Sequence, residues 1–94
     1  MRFTYTAHFK FRAKQRKISL ILARKIYNQA SSILFDKLRN YHIAIAELEV
    51  RGKRRKLMLA YDRINDMIEF ITVHIIREKE IKNKIISGRW RYEN

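Results

Sequence analysis

The stretch YHIAIAELEVRGKRRKLMLAY, residues 41–61, decides the fold. It contains two runs of aliphatic, β-branched and aromatic residues, Tyr41–Val50 and Leu57–Tyr61, which are the residue types that strands favour. Between the runs stands Arg51-Gly52-Lys53. Because glycine adopts a positive φ at small cost, this tripeptide predicts a hairpin turn between two antiparallel strands. The middle of the chain is therefore expected to form a β-sheet.

Shorter strand patterns flank this hairpin in the chain. Before it, Ile33–Phe35 ends at Asp36, and after it a turn at Asp62–Asp66 leads into Met67–Ile75. Successive side chains of a strand point to opposite faces of the sheet. Strict alternation along Met67–Ile75 would put one set of side chains on the same face: Ile68, Phe70, Thr72 and His74. We therefore expect an antiparallel sheet of three to four strands.

Helix patterns lie on both sides of these strands in the sequence. Arg2–Thr6 predicts a short strand whose last residue can cap a first helix over Ala7–Lys17, and Ser19 can start a second helix. The apolar residues of this second helix recur every three to four positions: Leu20, Ala23, Ile26 and Ala30. Arg77–Ser87 predicts a short C-terminal helix. The chain is thus expected to form one α+β domain over residues 1–94, with its helices on one face of the sheet.

The charge balance of the chain is strongly basic. Its 94 residues include 22 Lys and Arg but only 9 Asp and Glu, which gives a formal net charge of +13. Eight of these cations fall within the first 30 residues, where no acid is present. Such an excess predicts an anionic partner, namely nucleic acid, an acidic lipid surface or an acidic protein.

Several classes of protein lack their residues in this chain. There is no cysteine, and the three histidines are dispersed, so neither a thiolate nucleophile nor a transition-metal site is indicated. Apolar runs such as Leu20–Ala23 are far shorter than the roughly 20 residues of a membrane-spanning helix. Asp36, Asp62 and Asp66 would hold magnesium only if the turns brought them together. We expect no metal, no cofactor, no membrane contact and a cytoplasmic location.

Four segments carry a resemblance to a known family. They read YTAHFKFRAKQRKIS at 5–19, LAYD at 59–62, ITVH at 71–74 and IISGRW at 85–90. With the order of elements, they resemble small microbial proteins that open with T-x-H-x-x-x-R-x-x-x-R-x-I-S and are grouped with the RelE/ParE toxin superfamily. Many members of that superfamily are small basic ribonucleases held inactive by an antitoxin. The resemblance implies a RelE-like fold and a toxin that cleaves RNA without metal or inhibits translation. It supplies no set of catalytic residues.

The predicted first helix carries a candidate anion-binding ridge. His8, Arg12 and Arg16 are spaced four residues apart, so they project along one stripe of the helix. Two guanidinium groups and an imidazole can bind consecutive phosphates, and arginine can do so through paired hydrogen bonds. Nearby lysines broaden the positive surface: Lys10, Lys14 and Lys17. The alternative is a solvated basic face with His8 packed against an aromatic neighbour.

The predicted hairpin tip is a second candidate for nucleic-acid binding. Five of its six residues are cations: Arg51, Lys53, Arg54, Arg55 and Lys56. Their mutual repulsion is unfavourable unless an anion is nearby, so the tip suits the phosphates of RNA or DNA. The alternative is a cluster that only keeps the protein soluble.

Catalysis of RNA cleavage without metal needs a proton acceptor, a cation for the phosphorane and a proton donor. His74 at the end of a predicted strand, with Arg77 and Arg89, is the favoured set, because histidine can exchange protons near neutral pH. His42 is expected to be a packed surface residue. Trp90 could stack on a base, although closing the core is the commoner role of such a residue.

Three functions therefore remain open at this point. The leading hypothesis is a toxin-type, metal-independent ribonuclease that acts on free or ribosome-bound RNA and is controlled by an acidic antitoxin. The second is a nucleic-acid-binding protein without catalysis, and the third is a basic module that docks an acidic protein. A homodimer is compatible with each of the three.

Overall fold

The computed structural model describes residues 2–93, which form an α+β arrangement of six strands and three helices. The elements follow one another as β1 (Arg2–Tyr5), α1 (Ala7–Gln15), α2 (Leu20–Asn28), β2 (Ser32–Asp36), β3 (Tyr41–Val50), β4 (Lys53–Ile64), β5 (Met67–Ile75), α3 (Glu78–Ile86) and β6 (Trp90–Tyr92). The strand-helix-helix opening matches the prediction from the sequence. None of the helices in this part of the chain is long and apolar enough to cross a membrane.

The strands form one sheet in the order β1-β5-β4-β3-β2-β6. The β1–β5 pair is parallel and all the other pairs are antiparallel. The sheet therefore has more strands than the three to four that the sequence predicts, and it is mixed rather than antiparallel. The expected strands form its centre, where β2 to β5 run as a meander. The edge strand β6 has only three residues, too few for an alternating pattern to be visible in the sequence.

The two faces of the sheet are covered by different helices. On one face α1 and α2 bury a core that includes Phe9, Ile26 and Phe70, and on the other α3 buries Ile81 against a second core with Leu34. The prediction that all helices lie on one face is thus wrong. The reason is visible in β3, whose consecutive residues 43–46 are all buried. A strand that is apolar on both faces needs a helix on each side.

Hydroxyl caps set the beginnings of the first two helices. The Thr6 hydroxyl accepts the backbone N–H of Phe9 at 2.9 Å, and the Ser19 hydroxyl accepts that of Leu22 at 3.0 Å. Thr6 is the cap that the sequence predicts, and Ser19, the predicted start of the second helix, is its cap. The first helix ends at Gln15 rather than at Lys17, because Lys17 adopts a φ of 57° and turns the chain toward α2.

An irregularity in β5 changes the face on which its second half lies. Ala60 pairs with Thr72 whereas Tyr61 pairs with Phe70, so Ile71 is an extra residue in the ladder. Such a β-bulge reverses the alternation beyond it. Phe70 therefore stays on the face of α1 and α2, whereas Thr72 and His74 lie on the face of α3. The strict alternation predicted for this strand does not hold.

Candidate nucleic-acid interface and catalytic cavity

The hairpin tip is built on a two-residue turn. Val50 pairs with Lys53, and the two residues between them, Arg51 and Gly52, have φ angles of 50° and 80°. Two consecutive positive φ angles are those of the hairpin turn that matches the natural twist of the strands. The regular register beyond this turn makes the cations of β4 alternate between the two faces of the sheet.

On the α3 side, the cations of the tip are paired with acids. Arg54 Nε lies 3.2 Å from Glu47 Oε1, and Lys56 Nζ lies 2.7 Å from Glu78 Oε2 at the start of α3. The hydrogen bond with Glu78 raises the pKa of Lys56, and the same bond lowers the pKa of Glu78. Arg54 and Lys56 are two of the five cations predicted at the tip, but acids of the protein itself compensate their charges.

On the side of α1 and α2, the cations of the tip lack such matches. Lys53 and Arg55 are exposed and stand opposite Val50 and Leu48, which belong to the core beneath α1 and α2. Across residues 2–93, no carboxylate forms an ion pair with either of them. The uncompensated charge of the tip therefore lies on this side of the sheet.

The turn between α1 and α2 joins this side of the tip. Arg51 Nη1 donates to the backbone carbonyl oxygen of Lys17 at 3.0 Å, so the hairpin and the end of α1 meet. The helix and the hairpin are separate elements in the sequence, whereas the structure makes them neighbours. We use the term basic surface for the cations gathered there: Lys17, Arg51, Lys53 and Arg55.

The predicted ridge on α1 is only partly available to a ligand. His8 is exposed, and Arg12 donates to Gln15 Oε1 at 3.0 Å while lying 5.7 Å from the ring centroid of Phe11. Arg16 instead donates to the carbonyl oxygen of Val73 at 2.9 Å. The ridge therefore includes one arginine that supports the fold.

Arg16 forms hydrogen bonds with an edge of the sheet that has no neighbouring strand. β1 ends at Tyr5 opposite Phe70, so the outer edge of β5 beyond that point has no neighbouring strand. The Arg16 guanidinium reaches this edge and donates to Val73 O and, at 3.4 Å, to the Thr72 hydroxyl. Burial, and then the nearby charge of Arg12, lower the pKa of Arg16.

A cavity of about 210 Å³ lies on the α3 side of the sheet. His74 and Arg89, two residues of the predicted catalytic set, line this cavity together. The other side chains with polar groups that line it are Asp36, Tyr41, Thr72, Glu80, Lys84 and Trp90. Arg77 is not among the lining residues; it is exposed at the start of α3, where its backbone N–H donates to Glu80 Oε1 at 3.1 Å.

A buried carboxylate fixes Arg89 at this cavity. Asp36 is only 1% exposed, and its Oδ2 lies 3.1 Å from Arg89 Nη2 and 3.0 Å from the indole nitrogen of Trp90. The backbone N–H groups of Leu38 and Arg39 each donate to Oδ1 at 3.0 Å. Burial alone would raise the pKa of Asp36, but the hydrogen bonds from Arg89, Arg39 and Trp90 outweigh it and lower this pKa. The carboxylate therefore stays ionised and holds the C-terminal segment in place.

The side chain of His74 has a defined hydrogen-bonding state. Its Nδ1 lies 2.8 Å from the backbone carbonyl oxygen of Ile75, which can only accept a hydrogen bond. The neutral ring therefore carries its proton on Nδ1, and Nε2 is left with a lone pair. Thr72, which accepts a hydrogen bond from Arg16, also lines the cavity with His74. The ridge on α1 thus reaches the rim of the cavity around the edge of β5.

The structural role of Asp36 was not predicted from the sequence, which suggested this residue only as a magnesium ligand. Among residues 2–93, no three His, Cys, Asp or Glu side chains are grouped in a way that could hold a metal ion, so Asp36, Asp62 and Asp66 do not form a site. Trp90 is buried beside Asp36, which is the core-closing role rather than base stacking. The only sequence signal for this role was an acid directly after an apolar strand.

No protein-family model matches the chain, and neither a curated protein nor a solved structure is significantly similar to it. The relationship to the RelE/ParE superfamily stays a prediction from the sequence.

Proposed function

We propose that this protein binds single-stranded RNA through the basic surface. The observation that carries the proposal is the charge asymmetry of the hairpin tip. Arg54 and Lys56 are matched by acids on the α3 side, whereas Lys53 and Arg55 on the other side are not. Uncompensated Lys and Arg side chains bind phosphates and release the counterions around them, which is the main source of affinity for nucleic acids.

An exposed aromatic ring on α1 favours a single strand over a duplex. Phe11 is 63% exposed and lies beside the guanidinium of Arg12. Bases of a single strand can stack on such rings, whereas the bases of a duplex are stacked on one another. At physiological salt, charges are screened beyond about 8 Å, so the phosphates must touch the basic surface directly.

Fluorescence anisotropy with a labelled single-stranded RNA at several salt concentrations tests this proposal. We expect the logarithm of the binding constant to fall linearly and steeply as the logarithm of the salt concentration rises. A duplex DNA of equal length serves as the comparison ligand. Affinity that does not depend on salt, or tighter binding of the duplex, would contradict the proposal.

The second candidate function is metal-independent cleavage of the bound RNA, of the kind that the resemblance to toxins implies. The cavity with His74 favours it, because Thr72 links this cavity to the ridge on α1. His74 Nε2 would take the proton of a 2′-hydroxyl, whose oxygen then attacks phosphorus as the bond to the 5′-oxygen breaks. Arg89 would stabilise the charge on the phosphorane, Lys84 would donate a proton to the departing 5′-oxygen, and the products are a 2′,3′-cyclic phosphate and a 5′-hydroxyl.

RNA incubated with the purified protein in EDTA tests this second function. We expect cleavage that ends in a 2′,3′-cyclic phosphate, and loss of most of the rate in the His74→Gln variant. His8→Gln is the comparison variant: His8 is exposed on the ridge of α1 and does not line the cavity, so this change should leave the cleavage rate at saturating protein unchanged even where it weakens RNA binding. Intact free and ribosome-bound RNA, together with normal growth on expression, would leave RNA binding as the function.

A further inference from the structure

A cleft of about 390 Å³ lies on the α2 side of the sheet, away from the basic surface and from the His74 cavity. Its polar lining consists of Tyr27, Asn28, Tyr61, Arg63 and Glu93. His42 of β3 contacts Glu93 of this cleft and is eight residues from Val50 at the hairpin tip, a distance of about 26 Å along an extended strand. The volume falls within the range of small-molecule sites in proteins.

The carboxylate in this cleft is held in one position. The backbone N–H of Glu93 donates to the carbonyl oxygen of Ile33 at 2.8 Å, and Glu93 Oε1 lies 2.8 Å from His42 Nδ1. The imidazole is itself fixed, because it stacks on Tyr61 with ring centroids 5.2 Å apart and meets the edge of Phe35 at 5.5 Å. A group that is already ordered loses little entropy when it binds a ligand.

The chemistry of the lining selects the kind of ligand. The Glu93 carboxylate only accepts hydrogen bonds when ionised, so it requires a ligand edge rich in N–H donors. Among the nucleobases, guanine presents two adjacent donors on one edge, the N1–H and the exocyclic amino group, whereas uracil presents one. Arg63 is exposed and lines the same cleft, so its guanidinium can bind a phosphate of the ligand.

We propose that this cleft binds a guanine nucleotide, with Glu93 on the donor edge of the base and Arg63 on the phosphate. The guanine belongs either to a free mononucleotide or to a guanosine residue of the RNA that the basic surface holds. Only the second source rests on the proposed RNA binding. In both cases, the pair of Glu93 and His42 provides the specificity and Arg63 provides affinity for the phosphate.

Calorimetric titration of the full chain with 5′-GMP, AMP, CMP and UMP tests the proposal. We expect 5′-GMP to bind most tightly, with an advantage over UMP of roughly ten-fold, as for other paired hydrogen bonds to a base edge. Glu93→Gln removes this advantage, whereas Glu49→Gln, the same change at an exposed position on the α3 side of β3, leaves it intact. Arg63→Gln weakens the binding of 5′-GMP but not the binding of guanosine, which has no phosphate.

The sources of guanine are distinguished with RNA oligomers that differ only in one guanosine. Preference for the guanosine-containing oligomer, lost in Glu93→Gln, assigns the cleft to RNA, and binding of 5′-GMP without that preference assigns it to the mononucleotide. Equal affinity for all four nucleotides, or no binding of any of them, overturns the inference even if RNA still binds to the basic surface. RNA binding that is absent while 5′-GMP binds overturns the proposed function alone.

Discussion

The two faces of the sheet use their charged side chains differently. On the α3 side, Arg54, Lys56 and Arg89 are each paired with an acid, and the last of these pairs is largely buried. On the other side, Lys53 and Arg55 have no acidic partner among the described residues. Although both sets look alike in the sequence, the charges of one set are compensated by acids of the protein, whereas those of the other set are not. Counting cations in a segment therefore overestimates the charge that it offers to nucleic acid.

The largest effect is expected from the buried pair on the α3 side. Asp36→Asn keeps the shape of the side chain but leaves Arg89 without its counter-charge, and breaking a buried ion pair costs roughly 3 kcal/mol. Urea unfolding measures the loss. Asp66→Asn, the same change at an exposed position, should alter the free energy of unfolding by less than about 0.5 kcal/mol. An equally small effect of Asp36→Asn would show that this pair does not hold the fold.

The pH dependence of stability is a second test of the contribution of Asp36 to the fold. The pKa of Asp36 is lower in the folded protein than in the unfolded chain, so the unfolded state binds its proton first as the pH falls. The stabilisation from Asp36 is therefore complete above the unfolded pKa of about 3.9 and is lost as the pH falls through the folded pKa. Urea unfolding between neutral pH and acid should show the wild type and Asp36→Asn converging in stability. A constant difference at all pH values would contradict the assignment.

Replacing the cations that lack an acidic partner should change RNA binding and leave the free energy of unfolding unchanged. Removing one cation that binds a phosphate of a single strand lowers the salt slope by about 0.7, so Lys53→Ala with Arg55→Ala should lower it by about 1.4. Arg54→Ala with Lys56→Ala removes the same number of charges from the same strand, but on the α3 side. We expect this matched pair to change the slope by less than half as much, measured by anisotropy over a series of salt concentrations. Equal changes for both pairs would remove the distinction between the two faces.

Much of the fold could be predicted because it depends on local patterns. The hydroxyl caps at Thr6 and Ser19, the turn at Gly52 and the length of β3 all follow from neighbouring residues. The bulge at Ile71 could not be predicted in this way, since apolar residues at both Ile71 and Val73 fit either alternation. Its position depends on how β5 packs on β4.

The candidate sites were predictable to the extent that strand alternation fixes them. Alternation along β4 is sufficient to separate Arg54 from Arg55, once the turn is known to have two residues. The partner of Lys56 is Glu78, which lies 22 residues away and reaches it only because α3 crosses the second face. The Asp36–Arg89 pair likewise depends on β6 joining the sheet. These pairings are tertiary, and no pattern within a short segment indicates them.

The smallest effect is expected at the turn that sets the alternation of the tip. Gly52 has a φ of 80°, and a Cβ there meets no atom within 4 Å, so the cost of Gly52→Ala comes from the backbone alone. An L-residue in this conformation is less stable by roughly 1 kcal/mol. Urea unfolding should show that loss, while affinity for RNA changes less than two-fold because Lys53 and Arg55 keep their face. A large loss of affinity with little loss of stability would show instead that the turn changes its register and moves these cations, so the position of the basic surface would depend on this single glycine.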